Sequence, residues 1–187
     1  PVIFKAHFSH PATSEMVGKA IIQAAQQTDM PEGVFSMFHG QSNQVGMDLI
    51  SHPLLKAVGF TGSFSGGRSL YNAAASRETP IPVYAEMGST NPVIFLPGII
   101  EERGNELAQG YIDSVTLGVG QFCTNPGIAV LINGSPDHPF VKRAAELMEQ
   151  SECGTMLNKR THDNYNQGIA TLSESKHVKI LTNSTSE

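Results

Sequence analysis

The sequence predicts an α/β fold built on parallel strands, and three observations carry that expectation. Apolar runs of strand length alternate with longer segments of helical periodicity along the chain. The first long segment places Met16, Val17, Ala20, Ile21, Ala24 and Ala25 on one stripe, the pattern of a helix lying on a sheet. Strand and helix units then repeat the same logic up to a proline-containing break, as half of a doubly wound domain does.

Taken in order, PVIFKAH reads as a strand, ATSEMVGKAIIQAAQQT as a helix with Thr13 or Ser14 as its N-cap, and GVFSMFHG as a strand. A short helix is expected near 43–51, a strand over KAVGFTG, and a helix over about 65–76. SRETPIP, residues 76–82, carries two prolines among polar residues, and we place a domain boundary there, giving parts 1–82 and 83–187. Beyond it VYAEM and NPVIFLP read as strands, about 101–117 as a helix, IAVLING as a strand, and 137–150 and 160–174 as helices. A last strand is expected in VKILTNSTSE. The chain opens on a strand-like run and closes in a polar tail, the expectation for an internal segment truncated at both ends.

Composition narrows the function classes. Of 187 residues 40% are hydrophobic and 16% charged, enough to bury a core in one or two domains. A formal charge of −5 without any basic block argues against a nucleic-acid surface, and the apolar runs are too short for a membrane span. The two cysteines lack metal-ligand or framework spacing, which argues against zinc and disulfides and fits a reducing cytoplasm. His7, His10, His39 and His52 show neither i, i+4 spacing nor a nearby carboxylate pattern, so they read as surface or packing residues and no metal is expected.

Four places could carry chemistry. Lys5 closes the first strand, at the carboxyl edge where open parallel sheets bind ligands, and can donate to ribose or phosphate. In GFTGSFSGG a strand ends at Gly62 and Ser63 and a helix begins, so the first helical N–H groups face a space where a diphosphate could lie. The stretch is neither a P-loop nor the G-x-G-x-x-G fingerprint. Glu86, in VYAEMGSTNP, follows an apolar strand and suits a cavity wall, where partial desolvation makes a carboxylate a general base. Cys123, in GVGQFCTNPG, lies among turn residues between a helical pattern and a strand. Each has a plain alternative: a solvated lysine, a structural turn, a surface glutamate, a small buried cysteine. Cys153, in SECGTM, lacks such a setting and reads as packing.

Together, and in this order, FKAH, GFTGS, AEMGSTNP and GQFCTNPG resemble the motifs of the aldehyde dehydrogenase superfamily, most of all its bacterial NADP-linked branch. The resemblance implies a parallel Rossmann-like cofactor-binding part followed by an α/β catalytic part. It also implies NADP as coenzyme, with NAD as the other choice, Cys123 as nucleophile, Glu86 as base, and Lys5, Gly62 and Ser63 at the cofactor. The implied substrate is a small-molecule aldehyde, 2,5-dioxovalerate first and a long-chain fatty aldehyde second, and the implied assembly is a homo-oligomer. The family's oxyanion asparagine and second ribose-binding glutamate belong to segments outside this stretch. Phe8 stands where NAD-preferring relatives often carry a glutamate, and GSFSGG stands in place of GSTEVG. Two other classes stay open from the sequence: a cysteine hydrolase or acyltransferase, and a folded but inactive piece of an enzyme.

Overall fold

The computed structural model describes residues 1–182. It forms two compact units, the first Pro1–Gly88 and the second beginning at Ser89.

In the first unit β1 (Val2–Lys5) pairs in parallel with β2 (Phe35–Phe38), in the register Val2↔Phe35 to Lys5↔Phe38. The crossover between them is α1 (Pro11–Gln27), which packs on β2. This helix begins before the expected caps Thr13 and Ser14. Pro11 occupies its first turn, where a preset φ and a missing N–H cost nothing, so His10 becomes the N-cap. Gly18 lies under β2, and a Cβ there would stand 2.8 Å from Met37 Cε.

A second parallel pair follows, β3 (Val58–Thr61) with β4 (Val83–Glu86), in the register Val58↔Val83 to Thr61↔Glu86. Before β3 runs α2 (Asn43–Ser51), over the range the sequence predicts, with Ser42 Oγ accepting from Gln44 N at 3.0 Å. Between β3 and β4 lies α3 (Phe64–Ala75), packed on α2. Arg77, just past α3, donates to the carbonyls of His52, Pro53 and Leu55 and ties the helix end to the loop ahead of β3. The expected break after residue 82 falls one strand earlier than the division between the units. The prolines do end a segment, but the ladder to β3 keeps β4 in the first unit.

The second unit holds β5 (Val93–Phe95) parallel to β6 (Ala129–Leu131), with α4 (Pro97–Thr116) in the crossover. Again a proline in the first turn starts the helix earlier than the expected 101, and a non-helical Arg103 (φ −135°) kinks it near that point. Helix α5 (Pro139–Glu149) packs on α4, and the two close over a core of Phe95, Ala108, Ile112, Phe140 and Leu147. Phe95 meets Phe140 at 4.7 Å between ring centroids and Tyr111 edge-on at 5.9 Å. Helix α6 (Lys159–Ser173) is capped by Asn158, whose Oδ1 accepts from Thr161 N at 2.9 Å. The expected last strand is not formed over 178–182, where no strand partner is paired and Val178 N closes a turn onto Ser175 O. Its remainder lies outside the described residues.

Two glycines give opposite expectations for the same substitution. In α3 a Cβ on buried Gly67 would run into the Met87 side chain and stand 3.1 Å from Phe60 Cδ1, whereas Gly110 in α4 is exposed with nothing within 4 Å. Ala gains about 1 kcal/mol over Gly in a helix, and overpacking costs about 1–3 kcal/mol. Urea unfolding should therefore show Gly110→Ala more stable by about 1 kcal/mol, and Gly67→Ala less stable by a similar amount.

Candidate active site

In the first unit the residues singled out by sequence lie at the carboxyl ends of strands. Lys5 ends β1, half-buried, with its Nζ donating to the Ala6 carbonyl at 3.4 Å. Gly62 follows β3 and Glu86 ends β4, and the parallel ladder brings these two together, Gly62 N donating to Glu86 O at 3.0 Å. Ser63 is the N-cap of α3, its Oγ accepting from Gly66 N at 3.2 Å. With Gly67 N bonded to Ser63 O, the first-turn N–H groups of Phe64 and Ser65 are left without an intrahelical acceptor.

The Phe60 ring explains the glycines of this turn. A Cβ on Gly62 would stand 2.7 Å from Phe60 Cζ, and one on Gly66 would stand 3.2 Å from the same atom. The turn therefore lies flat on the ring, with exposed Ser63, Phe64 and Ser65 and no acidic residue in the first turn. That donor set fits a diphosphate. The carboxylate of Glu86 is exposed, where the sequence led us to expect a partly desolvated one. Val83, Ala85 and Met87 take the half-buried side of this stretch, and the strand's two-residue period puts Tyr84 and Glu86 on the other face.

Cys123 is exposed and free, as is Cys153, so neither is the small buried hydrophobe of the plain alternative. It sits after a 3-10 turn (Leu117–Gly120) in which Gly118, Val119 and Gly120 all have positive φ, near +60° to +68°. A β-branched residue in that region is a marked outlier, so the turn must be held from outside itself. Five side chains supply the hold, and all bond main-chain groups. Gln121 donates to Gly118 O at 3.1 Å and accepts from Leu157 N at 2.9 Å. Asn125 donates to Val115 O at 2.7 Å, and Tyr111 donates to Pro126 O at 3.0 Å. Ser89 Oγ donates to the Cys123 carbonyl, and so does Asn91 Nδ2 at 2.7 Å.

None of these five holding residues was singled out as a site residue. The signals were present but weak: Asn91 before Pro92 in GSTNP, and Asn125 before Pro126 in CTNP. Among the described residues no histidine takes part in the hydrogen bonds of this loop. His7 pairs with His10 at 3.1 Å and His39 with Glu15 at 2.7 Å. Among the described residues no group of three or more His, Cys, Asp or Glu could hold a metal ion, and no helix is long and apolar enough to cross a membrane.

The chain belongs to the aldehyde dehydrogenase family, whose model matches residues 1–178. It is 48% identical over 97% of its length to alpha-ketoglutaric semialdehyde dehydrogenase 2 of Azospirillum brasilense, and 41% identical over 96% to alpha-ketoglutaric semialdehyde dehydrogenase of Acinetobacter baylyi. It spans 34% of the length of each of those proteins. Its fold superposes on the crystal structure of an aldehyde dehydrogenase from Bartonella henselae with a TM-score of 0.79, covering 98% of this chain and 38% of that one at 20% identity.

Burial pushes the Tyr111 hydroxyl above its ordinary pKa, which keeps it a donor to Pro126 O. Because its folded pKa is the higher one, the stability it lends is fully present below about pH 10 and is lost as pH rises through the folded value. Tyr111→Phe should cost about 1 kcal/mol at neutral pH, and the loss of stability above about pH 10 should be shallower than in the parent. Chemical unfolding at a series of pH values checks both.

Proposed function

We propose that the protein oxidises an aldehyde to a carboxylic acid with NADP through a thioester on Cys123. The observation that carries this reading is an exposed thiol on a loop whose main chain is bonded at Gly118, Cys123, Asn125 and Pro126, in a chain of the aldehyde dehydrogenase family. The thiolate of Cys123 adds to the aldehyde carbon and forms a carbon–sulfur bond, and N–H donors hold the oxyanion that results. When bound, NADP supplies the acceptor for the hydride that this carbon gives up. Water then opens the thioester on Cys123, and the Glu86 carboxylate takes a proton from that water, freeing the acid and the thiolate.

Lys5, Gly62 and Ser63 are assigned to the coenzyme. The flat turn on Phe60 and the free first-turn N–H groups of α3 suit the diphosphate, and Lys5 suits the ribose side. On this reading the unit Pro1–Gly88 is part of the NADP-binding domain, the unit beginning at Ser89 belongs to the catalytic domain, and the enzyme is a cytoplasmic homo-oligomer. For the substrate we propose 2,5-dioxovalerate, the semialdehyde of 2-oxoglutarate. The support is that two relatives above 40% identity carry that activity in their names, whereas a long-chain-aldehyde dehydrogenase of Acinetobacter sp. stands at 27%.

In the full-length protein Cys123→Ala should form no NADPH. Glu86→Gln should show a rise of about one NADPH per active site and then a rate slower by about two to four decades, because acylation precedes the step that needs the base. Stopped-flow absorbance separates the two shapes, and a full-speed steady state in Glu86→Gln would remove Glu86 from the mechanism. Phe8 leaves no acid to repel a 2′-phosphate and Lys5 can meet it, so NADP should be preferred over NAD by about one to two decades in kcat/KM. Steady-state kinetics with both coenzymes test this, and an advantage for NAD would overturn it.

A further inference from the structure

Cys123 is held by its own carbonyl. Ser89 Oγ and Asn91 Nδ2 donate to that one oxygen, and the same Asn91 amide reaches the Asn125 carbonyl at 3.0 Å. A carbonyl has two lone pairs, so two donors fix the direction of the 123–124 peptide plane. Beyond the backbone a single torsion, χ1, carries the sulfur, and it has three staggered positions. Holding the plane therefore confines Sγ to a few places.

Stability does not account for this arrangement. The bonds are exposed, where water competes for both partners and the net gain is small. The turn that presents the two donors uses left-handed backbone at residues suited to it: Asn91 has φ +43°, a region asparagine enters at small cost, and Gly88 has φ +109°, open to glycine. The register of the parallel pair brings the turn to the loop. Val93 stands opposite Ala129, Gly127 N bonds Thr90 O at 3.0 Å, and the residues just ahead of both strands are thereby neighbours.

We propose that Ser89 and Asn91 are positioning residues for the Cys123 thiol, acting through its carbonyl; this rests on the reading of Cys123 as the nucleophile. In the full-length protein, Ser89→Ala combined with Asn91→Gly removes both donors, and glycine accepts the left-handed backbone at 91. Amide hydrogen exchange over residues 117–127 should speed up about tenfold or more, while the core segments of α4 and α5 keep their protection. The first-turnover formation of NADPH, counted per competent site from its amplitude, should slow by about 10- to 100-fold with KM for NADP unchanged, as a displacement of about 1 Å would cause. Ser89→Thr keeps the hydroxyl and should stay near the parent rate. Asn91→Asp keeps the shape but has no N–H, and should be as slow as Asn91→Gly. Unchanged exchange in the loop overturns the proposal, and so does a loss of competent sites with an unchanged rate per site. Full activity in Cys123→Ala would overturn the nucleophile reading and the proposal with it, and that failure is distinct because the variant leaves both donors in place.

Discussion

Parallel pairing is the constraint on which the rest of this structure depends. Two parallel strands cannot be joined by a tight turn, so each pair forces a crossover, and the crossovers here are α1, α3 and α4. The same constraint decides where loops meet. In the first unit Lys5, Gly62 and Glu86 come at the ends of β1, β3 and β4 because the chain leaves each strand at its carboxyl edge. In the second unit it is the beginnings that matter: the 89–92 turn leads into β5 and the Cys123 loop leads into β6, and the shared register sets them side by side.

Within that frame the Cys123 segment is shaped against its local preferences. Three consecutive residues with positive φ, one of them valine, do not persist on their own, and the side chains of Tyr111, Gln121 and Asn125 bond the main chain before, within and after the turn. The apolar core beneath makes this affordable. Ala108 and Ile112 of α4, which leads into the loop, share a core with Phe95 of β5 and Phe140 of α5, and Ala129 and Leu131 of β6, which follows the loop, pack against it.

Much of the fold was legible because its signals are local. Helix α2 ran over the range its spacing implied, and every strand described in the chain fell inside an apolar run. Three of the departures share one cause. The sequence pattern sets Pro11 and Pro97 ahead of helices that they in fact open, and it marks a break at Pro80 and Pro82 that the ladder from β4 to β3 overrides. For the candidate site the split is similar. Cys123 and Glu86 stood out by their neighbours in sequence, whereas Ser89 and Asn91 bond a carbonyl 34 and 32 residues away, a relation no local pattern encodes. The exposure of Glu86 was equally out of reach, since it depends on which face of β4 the first unit covers.

The bonds that hold the Cys123 loop run between side chains and main-chain groups, and the side chains of Phe122 and Thr124 supply none of them. Phe122 is exposed with its ring resting on Gly118, and Thr124 is exposed as well. These two side chains flank the thiol and make none of the holding bonds, while the Phe122 carbonyl accepts from Asn125 N at 3.0 Å. The loop thus separates the side chains that hold it from those that it carries. A change of side chain at 122 or 124 alters the surface beside the thiol without removing any of the side-chain bonds that hold the loop.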